Sequence, residues 1–352
     1  MRTASRPFSS YPPPVAALLL ILLLLGGCNE VDTGLTTMPA ALGPQQLGVI
    51  INDRDPLSRR IAEYYVVKRR IPQRNQIHVS FEPGSAVMEP NRFHALKAQV
   101  DTAAPQTVEA YALAWTVPYR VGCMSITTAF AAGFSADFCA AKCTPTRSSP
   151  YYDSNSRRPF ADFGWRPAML LAGSSLEEVK ALIDRGVASD FSNPPGTGYL
   201  VSTSDRQRNV RAWFYPGIKM MQGDRFRISL INADRLEYRD DIMFYFTGLA
   251  RVAGLETDTF RPGAIADHLT SSGGKLNGSS QMSSLRWLEA GATGSYGTVT
   301  EPCAFVDKFP RPNVVIDRYL NGETLLESYW KSVAQPGQGV FIGEPLARPF
   351  AQ

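Results

Sequence analysis

Two short stretches hold the residue types that could do chemistry. DHLTSSGG, residues 267–274, places Asp267 and His268 ahead of Ser271 and Ser272, and GTVTEPCAF, residues 297–305, places Cys303 directly behind Glu301 and Pro302. Aspartate, histidine and serine are the parts of a hydrolytic triad, in which histidine accepts the nucleophile's proton and a carboxylate orients the ring. No GxSxG elbow surrounds either serine. Adjacent side chains on one helix or strand point apart, which argues against Asp267 orienting His268. The sharper alternative is a Cys-His dyad for acyl transfer, formed if His268 and Cys303 meet in space. Glu301 raises or lowers thiol reactivity according to its burial, but a thiolate needs a cationic neighbour, and the nearest in sequence is Lys308. His268, Ser271, Glu301 and Cys303 are therefore the candidate catalytic residues. Their structural competitors are a turn at 267–274, in which Gly273 and Gly274 supply positive φ, and a disulfide or buried thiol at Cys303.

The other polar candidates read as architecture. His78 alternates with apolar neighbours in QIHVSF and His94 falls inside a helical stretch. Neither shares the HExxH spacing of a helical zinc site. Asp53 and Asp55 follow the first strand, where an α/β fold binds ligands, yet Asp55 is better explained as a helix N-cap. No metal and no cofactor are expected.

Which role Cys303 plays depends on where the chain resides. Its start, MRTASRPFSSYPPPVAALLLILLLLGGCNE, sets Arg2 and Arg6 before an apolar run from Val15 to Leu25. That is a secretory leader, too short for a span of roughly 20 apolar residues. Leu25, Gly26, Gly27 and Cys28 resemble a bacterial lipobox, in which the cysteine is acylated and becomes the first mature residue. The expected product is a lipid-anchored envelope protein held to a membrane through Cys28. Asn29 favours the outer membrane over the inner. Cys123, Cys139, Cys143 and Cys303 then face oxidising surroundings, where thiols pair. Four cysteines allow three connectivities that the sequence leaves open. CAAKC, residues 139–143, lacks the CxxC spacing of a redox or zinc module.

Composition excludes little else. The chain is 44% hydrophobic and 19% charged, as in an ordinary globular protein. Without Arg2 and Arg6 it carries 34 basic against 32 acidic residues, a net charge of +2, so no nucleic-acid surface is implied.

A leader over 1–27 and a polar tether over 28–46 precede one large α/β domain over 47–352. Leu47 to Ile51 reads as a buried strand. Asp55 and Pro56 then open a helix that runs toward Ile71-Pro72, and Gln76 to Phe81 reads as a second strand. Further helices are expected over about 90–102, 124–132, 174–187, 283–290 and 323–333. Further strands are expected in VEAYALAWTVP, PAMLLAG, GYLVST, DIMFYFTG and GVFIG. This alternation predicts a doubly wound, mostly parallel sheet with helices on both faces. An irregular insertion over about 134–160 breaks it, and a bridge from Cys139 to Cys143 or to Cys123 would stiffen that insertion.

LGVIINDRDPLSRRIAEYYVVKRRIP, YALAWTVPYRV, FYFTGLARV, PGAIADHLTSSGG, WLEAGATGSYGTVTEPCAFVDKFPRP and GQGVFIGEPLARPF together resemble an uncharacterised bacterial family associated with the exosortase protein-sorting system. That resemblance implies an accessory or binding protein of the envelope, with an exported protein as partner. The order of elements is also similar to that of gingipain-like cysteine peptidases of the caspase-like fold. Their His-Gly falls here on Thr247-Gly248, their cysteine falls within HLTSSGG, and their closing turn falls on Gly343-Glu344-Pro345. The departures imply a degenerate peptidase-like fold. The competing expectation is a peptidase-like hydrolase or acyl-transfer enzyme built on 267–274 and 301–303.

Overall fold

The computed structural model describes residues 41–140, 143–218, 221 and 226–352. The leader, the lipobox with Cys28 and the first part of the tether lie outside the described residues. From Ala41 onward the tether is packed rather than loose: Leu42 is buried and its N–H donates to Glu327 Oε2 at 3.3 Å. A hydrophobic side chain at the end of a polar run gains more from the core than from water, and that moves the start of the folded unit ahead of Leu47.

The first half follows the expected alternation. Strand β1 (Leu47–Asn52) leads into helix α1 (Pro56–Arg69), and Asp55 caps that helix by accepting from the Leu57 N–H at 2.9 Å. Helix α1 turns its Ile61, Ala62 and Tyr65 face to the core and ends where Arg70 adopts a left-handed φ of 53°. Then come β2 (Gln76–Val79), the short β3 (Val87–Met88), α2 (Pro90–Ala103) and β4 (Ala110–Leu113). Two small strands, β5 (Arg120–Val121) and β6 (Met124–Ser125), precede α3 (Ile126–Ala132). After the insertion come α4 (Pro159–Phe163), β7 (Ala168–Leu170) and α5 (Leu176–Ser189).

The second half runs through β8 (Gly196–Ser202), α6 (Tyr215–Ile218), β9 (Phe226–Asn232), β10 (Ile242–Thr247) and β11 (Phe260–His268). It closes with α7 (Leu285–Glu289), β12 (Gly294–Thr298), α8 (Pro312–Leu320), α9 (Leu325–Lys331) and β13 (Gly339–Gly343). Three of these strands differ from the sequence expectation. β9, β11 and β12 are not among the expected strands, and β11 runs into the 267–274 stretch that reads as a turn. For β12 the reason is burial on both faces: in GSYGT, Gly294 and Gly297 face neighbours so near that a Cβ would clash with Leu325 and with the Gly273 backbone. Small residues fit there although they lower strand propensity.

Ten strands form one mostly parallel sheet in the order β2-β1-β4-β7-β13-β12-β11-β10-β8-β9. The runs β2-β1-β4-β7 and β12-β11-β10-β8-β9 are each parallel internally. β13, expected only to close the sheet, instead lies between them, antiparallel to β12. Helices flank this sheet as expected for an α/β fold. β3, β5 and β6 make a separate three-stranded sheet. Inside the core Trp330 stacks on Phe341 with ring centroids 4.4 Å apart, and its indole N–H donates to the Ala168 carbonyl at 2.9 Å.

The insertion is less superficial than the sequence implies, because Phe138 and Tyr151 are fully buried. Its cysteines pair outward rather than with each other. Cys123 bonds Cys139 with Cα atoms 5.6 Å apart, and Cys143 bonds Cys303 at 5.3 Å, both within the ordinary range. The second bridge joins positions 160 residues apart, so it fastens the insertion to the turn after β12. Iodoacetamide treatment of unreduced native protein, read by mass spectrometry, is expected to leave all four of these cysteines unalkylated. Stoichiometric modification of Cys303 would contradict the pairing.

Candidate functional site

Strands β8, β10 and β11 end side by side at Ser202, Thr247 and His268. The loops after them and the turn after β12 enclose a cleft of about 780 Å³. Arg208, Thr270, Ser271, Gln281, Glu301 and the Cys143–Cys303 bridge lie in its wall. The C-terminal ends of parallel strands are where open α/β sheets hold ligands, because there the loops diverge and backbone groups point outward.

Close backbone packing sets the cleft. A Cβ on Gly248 would overlap the Arg208 carbonyl, so the loop after β8 can lie directly on the end of β10. The Thr203 hydroxyl ties the two together by donating to the Gly248 carbonyl at 2.7 Å. On the other side Gly297 admits the Gly273 backbone, and the Gly274 N–H donates to the Thr298 carbonyl at 3.0 Å. Beneath the loop, Arg211 pairs with Asp267 at 2.6 Å, each side chain about 1% exposed. Arg211 also donates to the carbonyls of Thr247 at 2.8 Å and Pro310 at 3.2 Å. This ion pair pins the segment that carries Arg208.

The four candidate catalytic residues meet different fates. His268 is buried beneath the cleft, not in its wall. Its Nδ1 accepts from the Trp287 indole N–H at 2.9 Å, so the proton sits on Nε2, which donates to the Met282 carbonyl at 3.1 Å. Both ring nitrogens are occupied, and neither can take a proton from a nucleophile. Asp267 faces the opposite side of β11, on Arg211, as alternation along a strand requires. Cys303 is bonded to Cys143, so the Cys-His dyad is not formed. Ser271 and Glu301 do meet: the Ser271 hydroxyl donates to Glu301 Oε1 at 3.1 Å, and the Cys303 N–H donates to the same oxygen at 2.7 Å. Cys303 and Ala304 follow in left-handed conformation, with φ of 59° and 54°. That costs free energy in residues other than glycine, and the bridge and the Glu301 contact hold it in place.

The remaining sequence candidates are structural. His78 Nδ1 lies 2.7 Å from Asp53 Oδ1 on the exposed edge, and His94 stands edge-on to Phe134 with centroids 6.0 Å apart. Glu344, in the turn after β13, is fully buried and accepts from Tyr65 at 2.7 Å and from Arg69 Nε at 3.0 Å. Among the described residues no group of His, Cys, Asp and Glu could hold a metal ion, and no helix is long and apolar enough to cross a membrane.

Sequence reasoning missed Arg208, Thr270 and Gln281. Their one signal is position: SDRQRN follows a strand, and TSSGG follows another. Until β11 is recognised as a strand, nothing brings these segments together. Comparison with protein-family models, curated proteins and solved structures found no match for this chain.

Burial, opposed by the bond to Met282 and reinforced by nearby Arg211 and Arg208, pushes the His268 imidazole down to about 3. In the unfolded chain an imidazole titrates near 6.5. The folded value is the lower one, so the contribution to stability is complete above about pH 6.5 and is lost as pH falls toward 3. Urea unfolding at pH 7.5, 5.5 and 4.5 is expected to show a gap between wild type and His268→Gln that narrows with acidity. A gap constant across that range would mean that His268 is not held neutral.

Proposed function

We propose that this chain is a lipid-anchored envelope protein that acts as a binding or accessory partner for exported proteins, in protein sorting or envelope biogenesis, on a degenerate peptidase-like fold. One observation carries the reading. The thiol and the imidazole that a cysteine peptidase would need are both committed to internal bonds, while the cleft at the sheet's C-terminal edge remains open, with Arg208, Gln281 and Glu301 set among apolar wall residues. The resemblance to the exosortase-associated family and the leader that stops just before Cys28 support the same setting. The test is a titration of the native protein with fluorescent peptides taken from exported proteins of the same bacterium, with iodoacetamide and a fluorophosphonate as activity probes. Saturable binding without covalent labelling is the expected result. Absence of binding to every peptide would sink it. Acylation of Cys28 is checked separately, by mass spectrometry of the N-terminal peptide from the envelope fraction.

A second reading, a hydrolase, is favoured by the Ser271–Glu301 contact inside the cleft. A carboxylate within hydrogen-bond reach of a hydroxyl is the minimum for general-base activation. Fluorophosphonate labelling at Ser271 that disappears in Ser271→Ala would make this the preferred reading.

A further inference from the structure

The cleft wall carries a directional chain of hydrogen bonds. Arg208 Nε donates to Thr270 Oγ1 at 3.1 Å, and the Thr270 hydroxyl donates onward to Gln281 Oε1 at 2.8 Å. The Ser272 N–H donates to that same Gln281 oxygen at 2.7 Å. A backbone N–H can only donate, so the Gln281 amide is oriented with its oxygen inward and its NH2 group turned away from these partners. Asp205 takes Arg208 Nη1 at 2.8 Å, which fixes the plane of the guanidinium. Arg208 Nη2 and Gln281 Nε2 have no hydrogen-bond partner among the described residues, and both side chains line the cleft. At the Glu301 carboxylate, Oε1 is taken by Ser271 and Cys303, while Oε2 has no such partner.

We propose that Arg208, Thr270 and Gln281 form a carboxylate-binding subsite for a peptide ligand, with Glu301 accepting from an amide N–H of that ligand. This deepens the binding reading above and rests on it. Two NH2 groups held by a shared network meet no protein acceptor among the described residues, and a carboxylate offers two acceptor oxygens. The guanidinium is preorganised: its bonds to Asp205 and Thr270 spend side-chain entropy before the ligand arrives. The Arg211–Asp267 pair under the loop keeps it in register. Thr270 is a positioning residue, passing orientation from Gln281 to Arg208.

The probes are three peptides titrated into the full native protein by calorimetry: N-acetyl-trialanine as the free acid, the same peptide as its C-terminal amide, and N-acetyl-alanyl-aspartyl-alanine amide. At least one charged peptide is expected to bind about tenfold or more tightly than the neutral amide. Preference for the free acid assigns the carboxylate to a chain end, and preference for the aspartyl peptide assigns it to a side chain. Arg208→Gln is expected to bring the charged peptides down to the level of the neutral amide without changing the affinity of the amide itself. Arg208→Lys should recover only part of the loss, because a point charge cannot reproduce the planar fork. Equal affinity for all three peptides overturns the carboxylate subsite and leaves the binding reading intact. Binding of none of them overturns the subsite and counts against that reading as well. The comparison within wild type stands even if a variant fails to fold.

Discussion

Asp267→Ala is expected to destabilise the protein by about 3–5 kcal/mol, since removing one member of a buried ion pair strands the other charge without solvent. Arg211 would keep its bonds to the Thr247 and Pro310 carbonyls, but these are dipoles and do not neutralise a guanidinium that is about 1% exposed. The double replacement Arg211→Met with Asp267→Leu removes both charges at similar volume and should recover much of the loss. Urea unfolding of the wild type, the single variant and the double variant makes the measurement. A loss under about 1 kcal/mol in Asp267→Ala would be the behaviour of a surface pair, and would show that water reaches this site. The same pair anchors the segment following Arg208, so a destabilised Asp267→Ala that still folds should also weaken peptide binding.

Gly248→Ala is expected to be the most damaging single methyl group in the cleft. Its Cβ would overlap the carbonyl of Arg208, which is backbone and cannot rotate aside as a flexible side chain would. Either the loop after β8 lifts off the end of β10, breaking the bond from Thr203 to the Gly248 carbonyl, or β10 itself shifts. Overpacking of this kind costs about 1–3 kcal/mol and sometimes more, and the rigidity of both partners places it at the upper end. Thermal unfolding reports the cost. Affinity for N-acetyl-trialanine reports whether the loop moved, with a loss of about tenfold expected. As a control, Gly133→Ala sits at a positive φ of 80° with nothing within 4 Å of its Cβ. It should cost stability through backbone strain while leaving the cleft affinity unchanged. Equal effects of the two substitutions on binding would mean that the close approach at Gly248 does not shape the cleft.

The parts that local chemistry controls were legible in the chain. Asp55-Pro56 had to open a helix, because an N-cap acceptor and a ring that needs no N–H donor suit that position. The apolar runs of β1, β4, β7 and β10 had to be buried strands, since they are too short for helices and lack polar alternation. Asp267 and His268 were read as unable to serve each other, and on β11 they do face opposite sides. The readings that failed did so because the cause was not local. Strands such as GSYGT contradict their own propensity, and only the backbone of a distant loop explains why glycine stands there. Leu42 belongs to the core because Glu327, 285 residues away, receives its N–H.

The sequence by itself determined the α/β alternation and the Asp55 helix cap, because each follows from neighbours along the chain. The tertiary structure alone decided which cysteines pair, that both nitrogens of His268 are taken, and that Arg208, Gln281 and Glu301 share one wall. The last of these depends on parallel strands ending at the same edge of a sheet, and a one-dimensional pattern carries no information about which strand ends become neighbours.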